Sequence, residues 1–92
     1  DFAGMETLIF LRQGIGSGID LQLNAYCVTF RGKIQLSALE YDVWKEADSV
    51  ITYDELERRV VSKYQLPYFE VRKTAAGLCR RGLLLAVNRE ER

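Results

Sequence analysis

Two helix starts restrict the fold of this chain more than any other feature of its sequence. Ser37 is followed three residues later by Glu40, and Thr52 is followed three residues later by Glu55. In this capping box the hydroxyl accepts a hydrogen bond from a backbone N–H of the first helical turn. The glutamate carboxylate accepts another from the N–H of the capping residue. The spacing therefore predicts one helix after residue 37 and a second after residue 52.

Apolar periodicity supports these two helices and adds a third. After each start, apolar residues recur at intervals of three and four, as expected for a helix with one buried face. Pro67 suits the first turn of the third helix, and Gly82 suits a left-handed cap just beyond its end. The inward stripes predict a core that contains Leu39, Val43, Leu56, Val60, Val71 and Leu78.

The residues before Ser37 have the patterns of short strands. Four segments either alternate apolar with polar residues or are rich in β-branched and aromatic types. They cover residues 6–12, 19–23, 26–30 and 33–36, and a last strand is predicted over 83–87. The glycine-rich segment 14–18 lacks the glycine spacing of a dinucleotide-binding loop, so a flexible turn is expected there.

The order of these elements predicts an α+β domain in which antiparallel strands precede three helices. The chain has 92 residues, of which 48% are apolar and 28% are charged, and these values are ordinary for one globular domain. We expect residues 5–92 to form this single domain. Residues 1–4, which precede the only methionine, are expected to be a cloning remnant.

The composition argues against catalysis. The chain contains no histidine, and its two cysteines lie far apart in the sequence. The commonest general base and the commonest zinc ligand are therefore missing. We expect no enzyme activity, no catalytic residue, no metal and no cofactor, and two reduced thiols in a cytoplasmic protein. No apolar run approaches the roughly 20 residues of a membrane span, so no membrane partner is expected.

The charge is balanced overall but uneven along the chain. Thirteen basic residues offset thirteen acidic ones, whereas a free-standing nucleic-acid binder usually has a basic excess. Four basic residues gather on the third helix, at positions 72, 73, 80 and 81. They form either a solvated helix face or a site for an anionic partner, which could be a nucleic acid or an acidic peptide.

The end of the third helix carries the first family resemblance. Leu78-Cys79-Arg80-Arg81-Gly82-Leu83-Leu84 resembles the segment that ends the third helix in the winged helix-turn-helix superfamily. Three helices framed by short strands, the second and third joined by only a few residues, fit the same architecture. The resemblance therefore implies a winged helix-turn-helix fold.

Within that superfamily, four segments resemble the PqqD-like domains that recognise peptides in modified-peptide biosynthesis. They are Lys33–Ser37, Tyr41–Trp44, Thr52–Leu56 and Gly82–Leu84. In that family a leader peptide adds as a strand beside the strand that precedes the first helix, and it packs against the third helix. The resemblance implies a non-catalytic module that binds a precursor peptide and presents it to a modifying enzyme.

The resemblance also implies where the peptide would lie. The strand edge would be formed by Lys33, Ile34, Gln35 and Leu36, because a short edge strand can template an added one. Val71 and Ala75 would supply a shallow apolar floor. Arg72, Lys73 and Arg80 would pair with carboxylates of an extended, partly acidic peptide.

A second resemblance points to DNA. The segment Gly32–Tyr41 looks like the start of the first helix in the OmpR-like domains of transcriptional regulators, and Ile51–Leu56 looks like the start of their second helix. This resemblance implies duplex DNA as the partner, read by the third helix. The chain before that helix is short for the family, and only one strand fits after it. A third interpretation is a protein–protein or dimerisation scaffold, and a homodimer is compatible with the sequence.

Overall fold

The structure, a computed structural model, describes residues 8–88, except for the side chains of residues 48–50 and 88. The cloning remnant expected at residues 1–4 lies outside the described residues. The described chain forms, in order, β1 (Leu8–Arg12), β2 (Gly16–Ile19), β3 (Ala25–Thr29), β4 (Gly32–Leu36), α1 (Ala38–Glu46), β5 (Asp48–Thr52), α2 (Tyr53–Tyr64), α3 (Tyr68–Arg80) and β6 (Leu84–Asn88).

This architecture confirms the predicted α+β class. Within residues 8–88 the strands form two antiparallel sheets of three strands each, with the orders β5-β1-β6 and β2-β3-β4. The second sheet is built from consecutive hairpins, in which Ser17 pairs with Cys27 and Cys27 pairs with Ile34. In the first sheet β1 lies between β5 and β6, and it pairs with both of them in antiparallel fashion.

The two predicted helix starts are present, and they differ in detail. Ser37 Oγ accepts from the Glu40 N–H at 3.1 Å, and the Ser37 N–H donates to Glu40 Oε1 at 2.8 Å, so this capping box is complete. Thr52 Oγ1 accepts from the Glu55 N–H at 3.5 Å. The Glu55 carboxylate instead lies 3.6 Å from Arg59 Nη2, one turn further along the helix.

The core lies where the helices pack against one another and against both sheets. Val43, Leu56, Val60, Val71 and Leu78 are buried there, as predicted. Leu39 is only partly buried and packs against the edge of this core.

Three sequence predictions about where strands lie were wrong. The segment predicted as a flexible turn contains β2, and the predicted strand over 19–23 is mostly a loop. Asp20 explains the shift, because its carboxylate accepts the backbone N–H groups of Gln22 and Asn24 and closes the turn. β5 was missed, because its five residues sit between two helices without an alternating apolar pattern.

Candidate functional site

The exposed edge of β4 is the first part of the candidate site. Ile15 N–H donates to the Val28 carbonyl at 2.8 Å, so the backbone groups of Val28 point from β3 towards β2. Backbone groups alternate in direction along a strand. Cys27 therefore points towards β4, where it pairs with Ile34. By the same alternation, the N–H and C=O groups of Lys33 and Gln35 point away from β3, towards an edge where no described strand pairs.

The side chains of β4 leave that edge accessible. Lys33 Nζ lies 4.5 Å from the centroid of the Tyr26 ring, so the lysine lies over the outer face of the sheet instead of across the edge. The Gln35 side chain is exposed, and the Ile34 side chain is partly buried on the opposite face. An extended chain could therefore approach β4 without displacing a packed side chain.

A basic cleft forms the second part of the site. It has a volume of about 350 Å³ and lies between the β3–β4 turn and the C-terminal end of α3. Its walls combine apolar and cationic groups, and they include Phe30, Arg31, Ile34, Arg80, Arg81 and Leu83. Because Ile34 belongs to both features, the cleft adjoins the open edge of β4.

The three arginines of the cleft differ in whether they form an ion pair. Arg81 Nη1 lies 2.9 Å from Glu40 Oε2, so the capping glutamate of α1 also anchors the end of α3. Arg31 and Arg80 are exposed, and neither forms an ion pair with a residue that the structure describes. Phe30, which lines the same cleft, is 96% exposed. The cleft can therefore offer two guanidinium groups and an aromatic ring to a ligand.

The structure brings together part of the predicted site. Lys33, Ile34 and Gln35 form the edge, and Arg80 shares the cleft with Ile34. Leu36 also belongs to β4, but its side chain is buried in the core. It pairs with Ala25, so its backbone groups face β3 instead of the open edge.

The prediction that Val71 and Ala75 form the apolar floor of the site is wrong. Val71 and Ala75 are fully buried, so neither can line a surface groove. The reason is packing: this stripe of α3 is the one that faces the core between α1 and α2. The apolar surface of the cleft comes instead from Ile34, Leu83 and Phe30.

Arg72 and Lys73 also lie elsewhere than predicted. Arg72 Nε lies 2.6 Å from Glu57 Oε2, and this contact joins α3 to α2. Its charge is thus already compensated within the fold. Lys73 is exposed on α3, but it does not line the cleft.

Sequence reasoning missed Phe30, Arg31, Arg81 and Leu83 as cleft residues. Phe30 was assigned to the third strand, whereas it occupies the turn between β3 and β4. The sequence did contain a signal for Phe30. This residue directly precedes Arg31-Gly32, a pair that favours a tight turn, and an aromatic side chain in such a turn does not face the core. The two ends of the cleft come from segments about 50 residues apart, a pairing that no local pattern contains.

A small polar cluster lies outside the cleft, where α1 meets the end of α2. Burial alone would raise the pKa of Asp42, but hydrogen bonds from Tyr64 and Lys63, together with the charge of Lys63, outweigh burial and lower it. Lys63 Nζ is 2.9 Å from Asp42 Oδ2. Burial, reinforced by the hydrogen bond to Asp42 and its charge, raises the pKa of Tyr64 to about 12.

The thiols and acids of the described residues show no metal-binding arrangement. In residues 8–88 no group of three cysteine or carboxylate residues lies close enough together to hold an ion. Burial raises the pKa of both Cys27 and Cys79, and a raised pKa lowers the fraction of reactive thiolate.

Comparisons with protein family models, with curated proteins and with solved structures found no significant match. The PqqD-like and OmpR-like resemblances therefore remain predictions from the sequence. Among the helices of the described chain, none is both long enough and apolar enough to cross a bilayer.

Proposed function

We propose that this chain is a winged-helix binding module that recognises an extended, acidic peptide by strand addition to β4. The observation that carries the proposal is the junction of an open strand edge with a basic cleft. Lys33 and Gln35 direct unpaired backbone groups to the edge, and Arg80 and Arg31 line the cleft beside it. Strand addition needs the first feature, and selectivity for an acidic chain needs the second.

The order of elements supports the winged-helix part of the proposal. A strand, β5, lies between the first two helices, and β6 follows the third helix in the same sheet. The connection between α2 and α3 runs only from Gln65 to Pro67, and Gln65 adopts a left-handed conformation with φ of 55°. A tight turn of this kind between two helices is typical of helix-turn-helix domains.

The bound peptide would divide its side chains between two environments. Backbone pairing with Lys33 and Gln35 supplies affinity with little demand on the peptide sequence. Side chains alternate along an added strand, so every second one would face the cleft beside Ile34, Arg80 and Arg31. The others would lie near the Lys33 ammonium group. Carboxylates are favoured in both places.

Lys33 gives the edge a second role. A lysine on an edge strand discourages pairing with another copy of the same strand, because like charges would meet. The same ammonium group attracts a strand that carries carboxylates. The β4 edge is thus guarded against self-association while it stays open to an acidic partner. Presentation of that partner to a modifying enzyme follows from the PqqD-like resemblance and belongs to the proposal.

Duplex DNA is the second candidate, and the tight α2–α3 turn is the observation that favours it. The charges of α3 argue against DNA binding, because Arg72 is already bound to Glu57. Lys73 and Arg80 are the exposed cations of that helix. Two cations and a net charge of zero give little of the counterion release on which DNA binding depends.

A nuclear magnetic resonance titration tests the peptide proposal. The probe is a blocked heptapeptide in which valine and glutamate alternate, added to the isotope-labelled full chain. We expect the largest amide shifts at Lys33 and Gln35. We also expect Arg80→Glu to weaken binding about tenfold, equal to about 1.4 kcal/mol.

Two controls make this test specific. Lys73→Glu makes the same charge change on the same helix outside the cleft, and it should leave the affinity within about twofold. A peptide in which valine and lysine alternate should bind much more weakly. Shifts confined to another surface, or equal losses in both variants, would place the site elsewhere. If the unchanged protein does not bind the valine–glutamate peptide, extended acidic peptides are excluded as its ligands.

A further inference from the structure

No strand among the described residues pairs with the outer edge of β2, and unlike β4 this strand carries no charged residue. Asp20 N–H donates to the Asn24 carbonyl at 3.0 Å, so the backbone groups of Asp20 point towards β3. By alternation, Gly18 also points towards β3, whereas Ser17 and Ile19 point outwards. β2 reads Gly-Ser-Gly-Ile and thus contains no charge and no proline, the usual protections of an exposed edge.

Exposed apolar side chains concentrate along this same edge. Ile15 is 66% exposed, Ile19 is 60% exposed, and Leu21, at the turn that follows, is 96% exposed. Isolated exposed leucines are normal on protein surfaces, but several exposed apolar side chains in and around one edge strand favour an interaction site. Leu23, which is 84% exposed, lies in the following turn in a left-handed conformation, with φ of 66°, which is uncommon for a leucine.

The two glycines of β2 have different explanations. A side chain at Gly18 would lie 2.7 Å from the Tyr26 hydroxyl, so Tyr26 would have to move to admit one. At Gly16 the backbone angle is ordinary and nothing lies within 4 Å of an added Cβ. Glycine weakens a strand interior. Gly16 pairs with Val28 of β3, and no described side chain covers the face of β2 towards which a Cβ at Gly16 would project.

We infer that β2 is the contact between two copies of this chain, paired antiparallel about a two-fold axis at Gly18. In that register Ser17 lies opposite Ile19 of the second copy, and all outward backbone groups of both residues form hydrogen bonds. Gly18 lies opposite itself, where the strands of a non-hydrogen-bonded pair come closest. A two-fold axis requires such a self-complementary patch.

The exposed apolar side chain of β2 meets its own copy in this register. Ile19 of one copy lies diagonal to Ile19 of the other, across the two-fold axis. Both side chains share one face of the joined sheet, because the axis is perpendicular to that sheet. The pairing joins the two sheets into one of six strands. It uses the edge opposite β4, so it does not depend on the proposed peptide site.

The mass of the particle in solution tests this inference. Sedimentation equilibrium of the full chain should give about twice the mass of one chain at micromolar to millimolar protein. Ile19→Lys should give the mass of one chain, because two like-charged ammonium groups would meet across the two-fold axis. The matched control is Leu85→Lys, which changes a 50% exposed leucine on β6 and should remain dimeric. Circular dichroism confirms that both variants are folded.

Hydrogen exchange locates the contact independently of any variant. The amides of Ser17 and Ile19 should exchange at least about tenfold more slowly as protein concentration rises. The amide of Gly18, which already faces β3, should not change. A single-chain mass for the unchanged protein at millimolar concentration would overturn the inference. So would a dimer that survives Ile19→Lys and shows no protection at Ser17 and Ile19.

Discussion

Glu57 and Arg72 join the second and third helices through two contacts, one of 2.6 Å from Nε to Oε2 and one of 3.3 Å from Nη2 to Oε1. The carboxylate is 1% exposed, whereas the guanidinium group keeps some contact with solvent. The Tyr53 hydroxyl is buried in the same region, and burial together with the Glu57 carboxylate raises the pKa of Tyr53. A buried carboxylate is tolerated only with a partner, so Arg72 belongs to the fold and is not free for a ligand.

The first prediction concerns this pair. Arg72→Ala should lower the free energy of unfolding by about 3–5 kcal/mol, because it leaves the Glu57 carboxylate buried and uncompensated. Lys73→Ala, the neighbouring exposed position, should change it by less than about 0.5 kcal/mol. Urea denaturation followed by circular dichroism measures both.

A double variant separates the ion pair from simple loss of packing. Replacing both charges with apolar residues, in Glu57→Leu with Arg72→Met, should cost less than Arg72→Ala alone, since no isolated charge remains. If Arg72→Ala and Lys73→Ala were equally mild, the contact would contribute little and Glu57 would have another partner.

A second prediction concerns the core. Leu56 on α2 is almost fully buried and belongs to the core that the three helices and the two sheets share. Leu56→Ala should lower the free energy of unfolding by about 2–5 kcal/mol, through lost apolar burial and the cavity left behind. Leu85→Ala removes the same atoms from a half-exposed side chain and should cost clearly less. Equal losses in the two variants would mean that Leu56 does not pack as described.

The sequence correctly predicted the features that depend on interactions between residues close together in the chain. The Ser37 capping box, the helix stripes and most of the core depend on residues a few positions apart, and the structure contains them. The error at β2 also has a local cause. Asp20 closes a turn inside an apparently alternating segment, and glycines that suggested a loop instead form an edge strand.

The candidate site was predicted only in part because its pieces meet across the fold. The basic residues of the third helix looked equivalent in the sequence. The structure separates them, since Arg72 meets a buried acid, Lys73 faces solvent and Arg80 reaches the cleft beside Ile34. Likewise, Val71 was predicted both in the core and, together with Ala75, as a surface floor, and packing places both residues in the core. These distinctions depend on which helix lies beside which, and this information is not local.

A third prediction separates the two candidate partners. Random duplex DNA should show no binding in an electrophoretic shift at micromolar protein and near-physiological salt, because few exposed cations lie on α3. If DNA were the partner, the affinity would be tight and would fall with salt at a log–log slope of about −0.9 for each phosphate neutralised. Such a result would favour the OmpR-like interpretation. Arg80→Ala should then reduce that slope by about one.

The last prediction uses the cluster of Asp42, Lys63 and Tyr64. The folded protein lowers the pKa of Asp42, so the carboxylate contributes stability at pH values above the ordinary aspartate pKa of about 3.9. That contribution is lost as the pH falls through the lowered pKa of the folded state. Asp42→Asn should therefore be less stable than the unchanged protein near neutral pH, and the difference between the two should shrink in acid. Urea denaturation at a series of pH values measures the difference.

The same substitution has a spectroscopic consequence at the other end of the pH range. Tyr64 has a pKa of about 12, caused first by burial and then by the hydrogen bond to Asp42 and its charge. Asp42→Asn removes the charge but not the burial, so the Tyr64 pKa should fall only part of the way towards the ordinary value of about 10. Ultraviolet titration of tyrosinate measures the change, and Tyr64→Phe identifies the component that belongs to this residue. An unchanged titration in Asp42→Asn would show that the carboxylate does not act on Tyr64, and that burial alone sets its pKa.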